Sequence, residues 1–375
     1  MISLLNSVFI GQAVDIKLTQ NQLSELLKLA ECHDLTHIVG YAMQKNNLLP
    51  KNEIGEAFEK AIFKVVYRYE RNNFELSRIC STLEEGEIPY IPLKGAVVKD
   101  YYPEPWLRTS SDIDVLIKEA DLEKACQLFQ EKLDYKSNYF GNYDVSLNSK
   151  SGVHIELHYK LEATGDGNVD KVLANVWQRS HLKENTNYHY IMSDGMFYFY
   201  HLAHMYKHFK YAGCGVKMVL DTWLLEGLPF KNSQERDSLL QEAELLSFRK
   251  AILDTAKFWF SNGEINDTVR LVEKYIINSG TYGNIVNKAI ASKLKKDEKI
   301  SLINKLWKPY DELKYWYPSL QNNKILLPFY QIKRWFHIAF SGIAKNITEE
   351  KNIAENVDKN QLKEIELLFE KLEIK

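Results

Sequence analysis

The chain has 375 residues, 45% of them hydrophobic and 26% charged, with a formal net charge of −2. That is the composition of an ordinary globular protein long enough for two or three domains, and the near-neutral charge argues against a protein that coats nucleic acid. Four scattered cysteines (Cys32, Cys80, Cys126, Cys214) show no C-x-x-C spacing, so neither a zinc knuckle nor a disulfide framework is indicated and a reducing cytoplasm fits. No basic leader precedes the first apolar stretch and no apolar run approaches a membrane span, so a cytoplasmic protein without membrane contact is expected.

Residues 1–85 read as helical. Leu23, Leu26, Leu27 and Ala30 recur at helical spacing behind Thr19, a candidate N-cap. A second helix is expected from about Glu53 to Glu85, with Phe58, Ile62, Val65, Val66 and Tyr69 on one face and Gly86 as its C-cap glycine. Ile88–Leu93, broken by two prolines, reads as an edge strand or strand entry. It ends at Lys94-Gly95, and residues 96–102 read as one or two helical turns. A strand, a glycine and a helix start make a natural phosphate cradle. Gly95 allows close backbone approach there, and Lys94 supplies a point charge.

A stiff loop then leads to Arg108, Ser110 and Ser111. Near a phosphate, the arginine offers bidentate contacts and the hydroxyls offer hydrogen bonds; the plainer role for Arg108 is an ion pair with Asp112 or Asp114. Asp112-Ile113-Asp114 opens a strand that continues through Val115-Leu116-Ile117. Alternate side chains leave one face of a strand, so both carboxylates point together. Close carboxylates repel unless a cation neutralises them, and Mg²⁺ takes one or two carboxylates together with phosphate oxygens. This is the pattern of two-metal phosphoryl or nucleotidyl transfer, although a D-x-D alone also suits a solvated edge or turn.

Residues 119–132 read as an amphipathic helix, and 143–148 with 153–161 as a hairpin. Val153, Ile155 and Leu157 alternate with His154, Glu156 and His158. Glu156 is thus placed as a third carboxylate, able to activate a hydroxyl or complete a metal shell, with His158 orienting it or touching substrate. Strand, helix, strand, helix and hairpin give a mixed α+β core with the Asp112 strand central and the Glu156 strand beside it.

Beyond about residue 190 the chain again reads as helical. Asp194 is the expected cap of a helix to Lys210 that carries His201, His204 and His208 on one face. The plainer role for that face is packing against a cleft or core. A zinc hydrolase is the rival, although no fourth ligand is evident. The next helix places Lys217 and Asp221 at i, i+4, the spacing of an ion pair. The aromatics Trp307, Tyr310, Tyr315, Trp316, Tyr317, Phe329, Tyr330, Trp335 and Phe336, interleaved with Lys308, Lys314, Lys333 and Arg334, suit a stacking platform or an irregular helical core. The tail from Ile347 reads as a charged amphipathic helix on the surface or at a dimer contact.

The ordered set Pro92-Leu93-Lys94-Gly95, Arg108 with Asp112-Ile113-Asp114, and Ile155-Glu156-Leu157-His158 resembles the uncharacterised bacterial nucleotidyltransferase group of the DNA polymerase β-like superfamily. The likeness covers roughly 86–160, with a weaker echo over 197–227, where a histidine helix and an aspartate helix cap the catalytic core. It implies an N-terminal helical region (1–85), a small mixed-sheet nucleotidyltransferase core (86–192) and a larger C-terminal helical domain (193–375). It further implies transfer of a nucleoside monophosphate from an NTP such as ATP, with pyrophosphate released. The acceptor would be a small molecule or a protein, and nucleic acid is less expected. Two Mg²⁺ ions would sit on Asp112, Asp114 and Glu156. Lys94, Gly95, Arg108, Ser110, Ser111, His158, Lys217 and Asp221 would address the nucleotide. The turn departs from the usual pattern in having Gly95-Ala96, without the hydroxyl or second glycine, and Glu156 stands where many relatives carry aspartate. The alternative is an inactive relative that binds a nucleotide or a partner; the intact acids argue against it.

Overall fold

The computed structural model describes residues 1–141, 143–161, 164–229, 233–294, 307–310, 313, 317, 319–340, 353 and 356–374. The chain opens with α1 (Ile2–Phe9), α2 (Gln20–Cys32), α3 (Thr36–Lys45) and α4 (Glu53–Glu85). Thr19 starts α2 through a capping box with Gln22, and the Asn52 side chain accepts from the Ile54 and Gly55 amides at the start of α4. Glu53 and Glu56 then lie in the first turn, where the helix dipole favours acids. At 33 residues α4 serves two cores. Phe58 joins a large helical core, whereas Ile79 and Leu83 join a smaller one under the sheet. Gly86 is its C-cap as expected, with a right-handed φ of −80°, and the left-handed residue is Glu87. A Cβ on Gly86 would lie 2.5 Å from Leu128 Cδ1 and 3.2 Å from the Thr82 carbonyl oxygen.

Next come β1 (Tyr90–Pro92), α5 (Gly95–Val98), β2 (Asp112–Ile117), α6 (Leu122–Leu133), β3 (Lys136–Phe140), β4 (Asp144–Asn148) and β5 (His154–His158). The strand order is β1-β2-β5-β4-β3; β2 and β5 are parallel and the other pairs antiparallel. The fold is therefore mixed α+β, with β5 in the middle of the sheet and β2 beside it. Ile113, Val115, Ile117, Val145, Leu147, Ile155 and Leu157 turn one face of the sheet onto Ala125 and Phe129 of α6 and the end of α4. The other face carries the alternating polar set.

The remainder is mainly helical: α7 (Gly167–Leu173), a small hairpin of β6 (Ser180–Leu182) and β7 (Tyr190–Met192), then α8 (Asp194–Tyr211), α9 (Val216–Glu226), α10 (Ser233–Glu242), α11 (Leu246–Phe260), α12 (Asp267–Ser279) and α13 (Ile285–Leu294). Ser193, not Asp194, caps α8 by accepting from the Met196 amide; Asp194 occupies the first turn. Leu4, Leu5, Ile38 and Val39 from the N-terminal helices share one core with Phe199, Val219, Ile252 and Phe369. The helix Lys359–Lys371 buries Ile365, Leu368 and Phe369 and pairs Glu364 with Lys274 at 2.6 Å. Tyr315, Trp316, Lys314 and Ile347 lie outside the described residues. Tyr317 and Tyr330 stack at 4.2 Å, and Phe329 and Phe336 are exposed. No helix among the described residues is long and apolar enough to cross a membrane.

Candidate active site

The parallel register of β2 and β5 sets Asp112 opposite His154, Asp114 opposite Glu156 and Leu116 opposite His158. Period-2 alternation thus delivers the acidic residues to one face, as the sequence indicates. The Lys94 ammonium donates to Asp114 Oδ1 at 2.7 Å and lies 3.8 Å from Glu156 Oε2. His158 Nε2 lies 2.9 Å from the same Asp114 oxygen and 3.4 Å from Glu156 Oε2. Asp114 and His158 are both buried.

The charges explain one another. Burial by itself would raise the Asp114 carboxyl, but Lys94 and the His158 hydrogen bond outweigh it and hold the group well below its ordinary range. Burial likewise works against the His158 imidazolium, yet hydrogen bonds to Asp114 and Glu156 push its pKa up to about 9. Lys94 is held protonated chiefly by Asp114 against its own desolvation. Asp112 is shifted the other way, raised by burial and by the neighbouring Asp114 charge. Lys94 and His158 thus both contact Asp114 and Glu156.

Lys94 holds its place at a conformational cost. Its φ of 47° and ψ of −121° lie where non-glycine residues are rarely found. The following Gly95 leaves no room for a side chain, since a Cβ would lie 1.8 Å from Ser110 Oγ. The close approach foreseen at Gly95 is thus made to the Ser110 loop. The Ser110 carbonyl accepts from Asn72 Nδ2 of α4 at 3.1 Å, and the exposed Ser111 Oγ lies 3.4 Å from Asp112 Oδ1.

A cavity of about 280 Å³ separates this face from α8 and α9. Lys94, Gly95, Arg108, Ser110, Ser111, Asp112, Asp114 and Glu156 line it from the sheet side. His201, His204, His208, Lys217 and Asp221 line it from the helices, and Asp34, Thr281 and Tyr282 complete it. His158 lies behind the carboxylates and is not on the lining. The described aromatics of 307–336 are not on it either, so they form no base platform at this site.

The ion pairing differs from expectation. Lys217 and Asp221 do not pair along α9. Lys217 bonds Asp34, 183 positions away, and Asp221 accepts from Arg108 Nε at 2.9 Å and forms an ion pair with Nη2 at 2.9 Å. Nor does Arg108 pair with Asp112 or Asp114. Tyr102 adds its hydroxyl to Asp221 Oδ1 at 2.6 Å. Asp34 and Tyr102 carry no local sequence signal for these roles, because each contact depends on a partner more than a hundred residues off.

On α8, His201 Nε2 meets Thr222 Oγ1 at 3.2 Å, and the His204 and His208 rings stand edge to face at 4.6 Å. Burial lowers the pKa of both His201 and His204, with Lys94 adding to the effect at His204. The three histidines do not gather around a common point. Among the described residues only Asp114, Glu156 and His158 bring three ligand atoms within 4.8 Å of one another. His201, His204 and His208 belong to no such group among the described residues. The carboxylate face offers hard oxygen donors in a place that already collects cations, which fits a magnesium-type ion.

Clustered carboxylates on a mixed sheet thus face a cavity whose lining includes an arginine and lysines. The chain belongs to the family described as uncharacterised nucleotidyltransferase, whose model matches residues 19–259. The matched span runs from the Thr19 cap to the last turn of α11 and takes in the whole sheet. No curated protein matches the chain.

Proposed function

We propose that the protein is a Mg²⁺-dependent nucleotidyltransferase that moves a nucleoside monophosphate from an NTP to an acceptor on a small molecule or protein. The observation that carries this reading is the shared face of Asp112, Asp114 and Glu156, with Arg108 beside it and Lys217 across one cavity. The acceptor oxygen attacks the α-phosphorus, the bond to the bridging α–β oxygen breaks, and pyrophosphate leaves. Asp112, Asp114 and Glu156 would hold the metal, which when bound supplies charge neutralisation and polarises phosphate oxygens. Glu156 takes the acceptor proton, and His158 keeps Glu156 and Asp114 in register. Lys94, Arg108 and Lys217 offset phosphate charge, while Gly95, Ser110 and Ser111 form the turn along which the phosphates lie. Enclosure between sheet and helices strengthens each electrostatic contact. A cytoplasmic protein with no membrane partner, and with nucleic acid the less expected acceptor, suits the same reading.

The test uses purified protein, Mg²⁺ and each of the four NTPs labelled at the α-phosphate, with cell extract as the source of acceptor. Label transfer by the wild type and its loss in Asp112→Ala/Asp114→Ala is the expected outcome. Identical behaviour of the two proteins would mean that the carboxylates are structural.

A further inference from the structure

Asp221 is an unusual residue to find on the wall of a phosphate-binding cavity. It is fully buried, and an unneutralised carboxylate there would repel the ligand. Its oxygens are already taken up. Oδ1 accepts from the Tyr102 hydroxyl at 2.6 Å and Arg108 Nε at 2.9 Å, and Oδ2 accepts from Nε at 3.0 Å and lies 2.9 Å from Nη2 as its ion-pair partner.

From the arginine's side the same contacts set a direction. Of the five N–H donors of a guanidinium, the one on Nε is shared between both Asp221 oxygens, while Nη2 faces Oδ2 at 2.9 Å as an ion pair. One on Nη1 goes to the Thr109 carbonyl at 3.1 Å. The remaining donors belong to the amino groups of a side chain that lines the cavity, and Nη1 lies 3.5 Å from where a Cβ on Gly95 would stand. The fork is therefore held beside the turn that carries Lys94. A long side chain fixed in advance loses less freedom when a ligand arrives, and a lysine could not reproduce a two-point hold on one carboxylate.

We propose that Asp221 is a positioning residue: together with Tyr102 it fixes Arg108 so that the remaining N–H edge meets the phosphate chain of a nucleoside triphosphate, and it makes no contact with the ligand itself. This rests on the nucleotidyl-transfer reading of the site. Helix α9 thereby contributes to phosphate recognition through an arginine that belongs to the sheet's own loop.

Isothermal titration tests the idea with Mg²⁺ and two probes, ATP and inorganic tripolyphosphate, the latter lacking base and sugar. The proteins are the wild type, Arg108→Ala, Asp221→Asn, Tyr102→Phe and the double variant Arg108→Ala/Asp221→Asn. Asp221→Asn is expected to weaken both probes about tenfold, Arg108→Ala at least as much, and the double variant no more than Arg108→Ala alone, because coupled residues are non-additive. Tyr102→Phe keeps the ion pair and should cost about two- to threefold, again with no further loss in an Arg108→Ala background. It carries the test if Asp221→Asn does not fold. A purely structural role would lower the melting temperature while the folded fraction kept its Kd. Wild-type affinity in Asp221→Asn and Tyr102→Phe, or losses that multiply with Arg108→Ala, would overturn the inference alone. A wild type that binds neither probe would overturn the nucleotidyl-transfer reading and this inference with it.

Discussion

The sheet wall of the cavity is made by three acids, at 112, 114 and 156, brought together by alternation along two adjoining parallel strands. The charges that tie this side to the helices, at 34, 108, 217 and 221, are joined in ion pairs that span 183 and 113 positions. The first wall exists wherever the two strands pair, because register alone places its side chains. The second exists only when the N-terminal helices, the loop before β2 and α9 have all docked. Local periodicity can thus specify where a charge points, while the identity of its partner is a property of the packed molecule.

The sharpest way to break the comparison is at Asp114, which anchors the sheet wall. Asp114→Ala should reduce label transfer by about 10³-fold or more, the scale of losing a charge-stabilising group. It also strips Lys94 and His158 of their shared acceptor, so urea unfolding should register a loss of about 3–5 kcal/mol. Transfer persisting in this variant would place the chemistry elsewhere.

His158 offers a pH signature. Its pKa rises from 6.5 to about 9 on folding, so the folded state holds the proton more tightly than the unfolded chain. The stability this lends is complete below pH 6.5 and is lost as pH climbs towards 9, amounting to about 3 kcal/mol. Wild-type urea midpoints should therefore fall across that window, and those of His158→Gln should not. Parallel profiles would mean that the imidazole is not the cation bridging Asp114 and Glu156.

Gly95 tests the turn that joins the walls. Gly95→Ala must displace Ser110, at a cost of about 1–3 kcal/mol for an overpacked site. Adding Ser110→Gly should restore much of the melting temperature; an equally unstable double variant would locate the strain elsewhere. The last test is at Lys217. Lys217→Met keeps the bulk of the side chain but removes its charge, so ATP affinity should fall about tenfold, with a stability loss of about 2–3 kcal/mol because the Asp34 carboxylate it leaves is partly exposed. Unchanged affinity would leave Lys217 as a strut for Asp34 only.

Much of this was readable in the chain. The D-x-D strand, the alternating 153–158 strand, the Thr19 cap and the limits of α4 follow from short-range rules that hold whatever else the chain does. β3 was not readable, because a register shift between Ser137 and Tyr139 breaks the alternation that marks a strand. β6 and β7 have three residues each, too few for a period to show. The i, i+4 spacing of Lys217 and Asp221 suggests a pair on an exposed helix. α9 is instead packed between segments, and each charge is claimed by a partner that neutralises it more completely. Ser193 and Asp194 are adjacent and both are good caps; only the backbone decides between them.

The central claim concerns which phosphorus is attacked, and comparing ATP labelled at the α-phosphate with ATP labelled at the γ-phosphate, in otherwise identical reactions with Mg²⁺ and acceptor extract, addresses it directly. Nucleotidyl transfer places the α label on the acceptor and releases the γ label as pyrophosphate, with both signals absent in Asp112→Ala/Asp114→Ala. A γ label found on the acceptor, or an α label that never leaves the nucleotide, would contradict it.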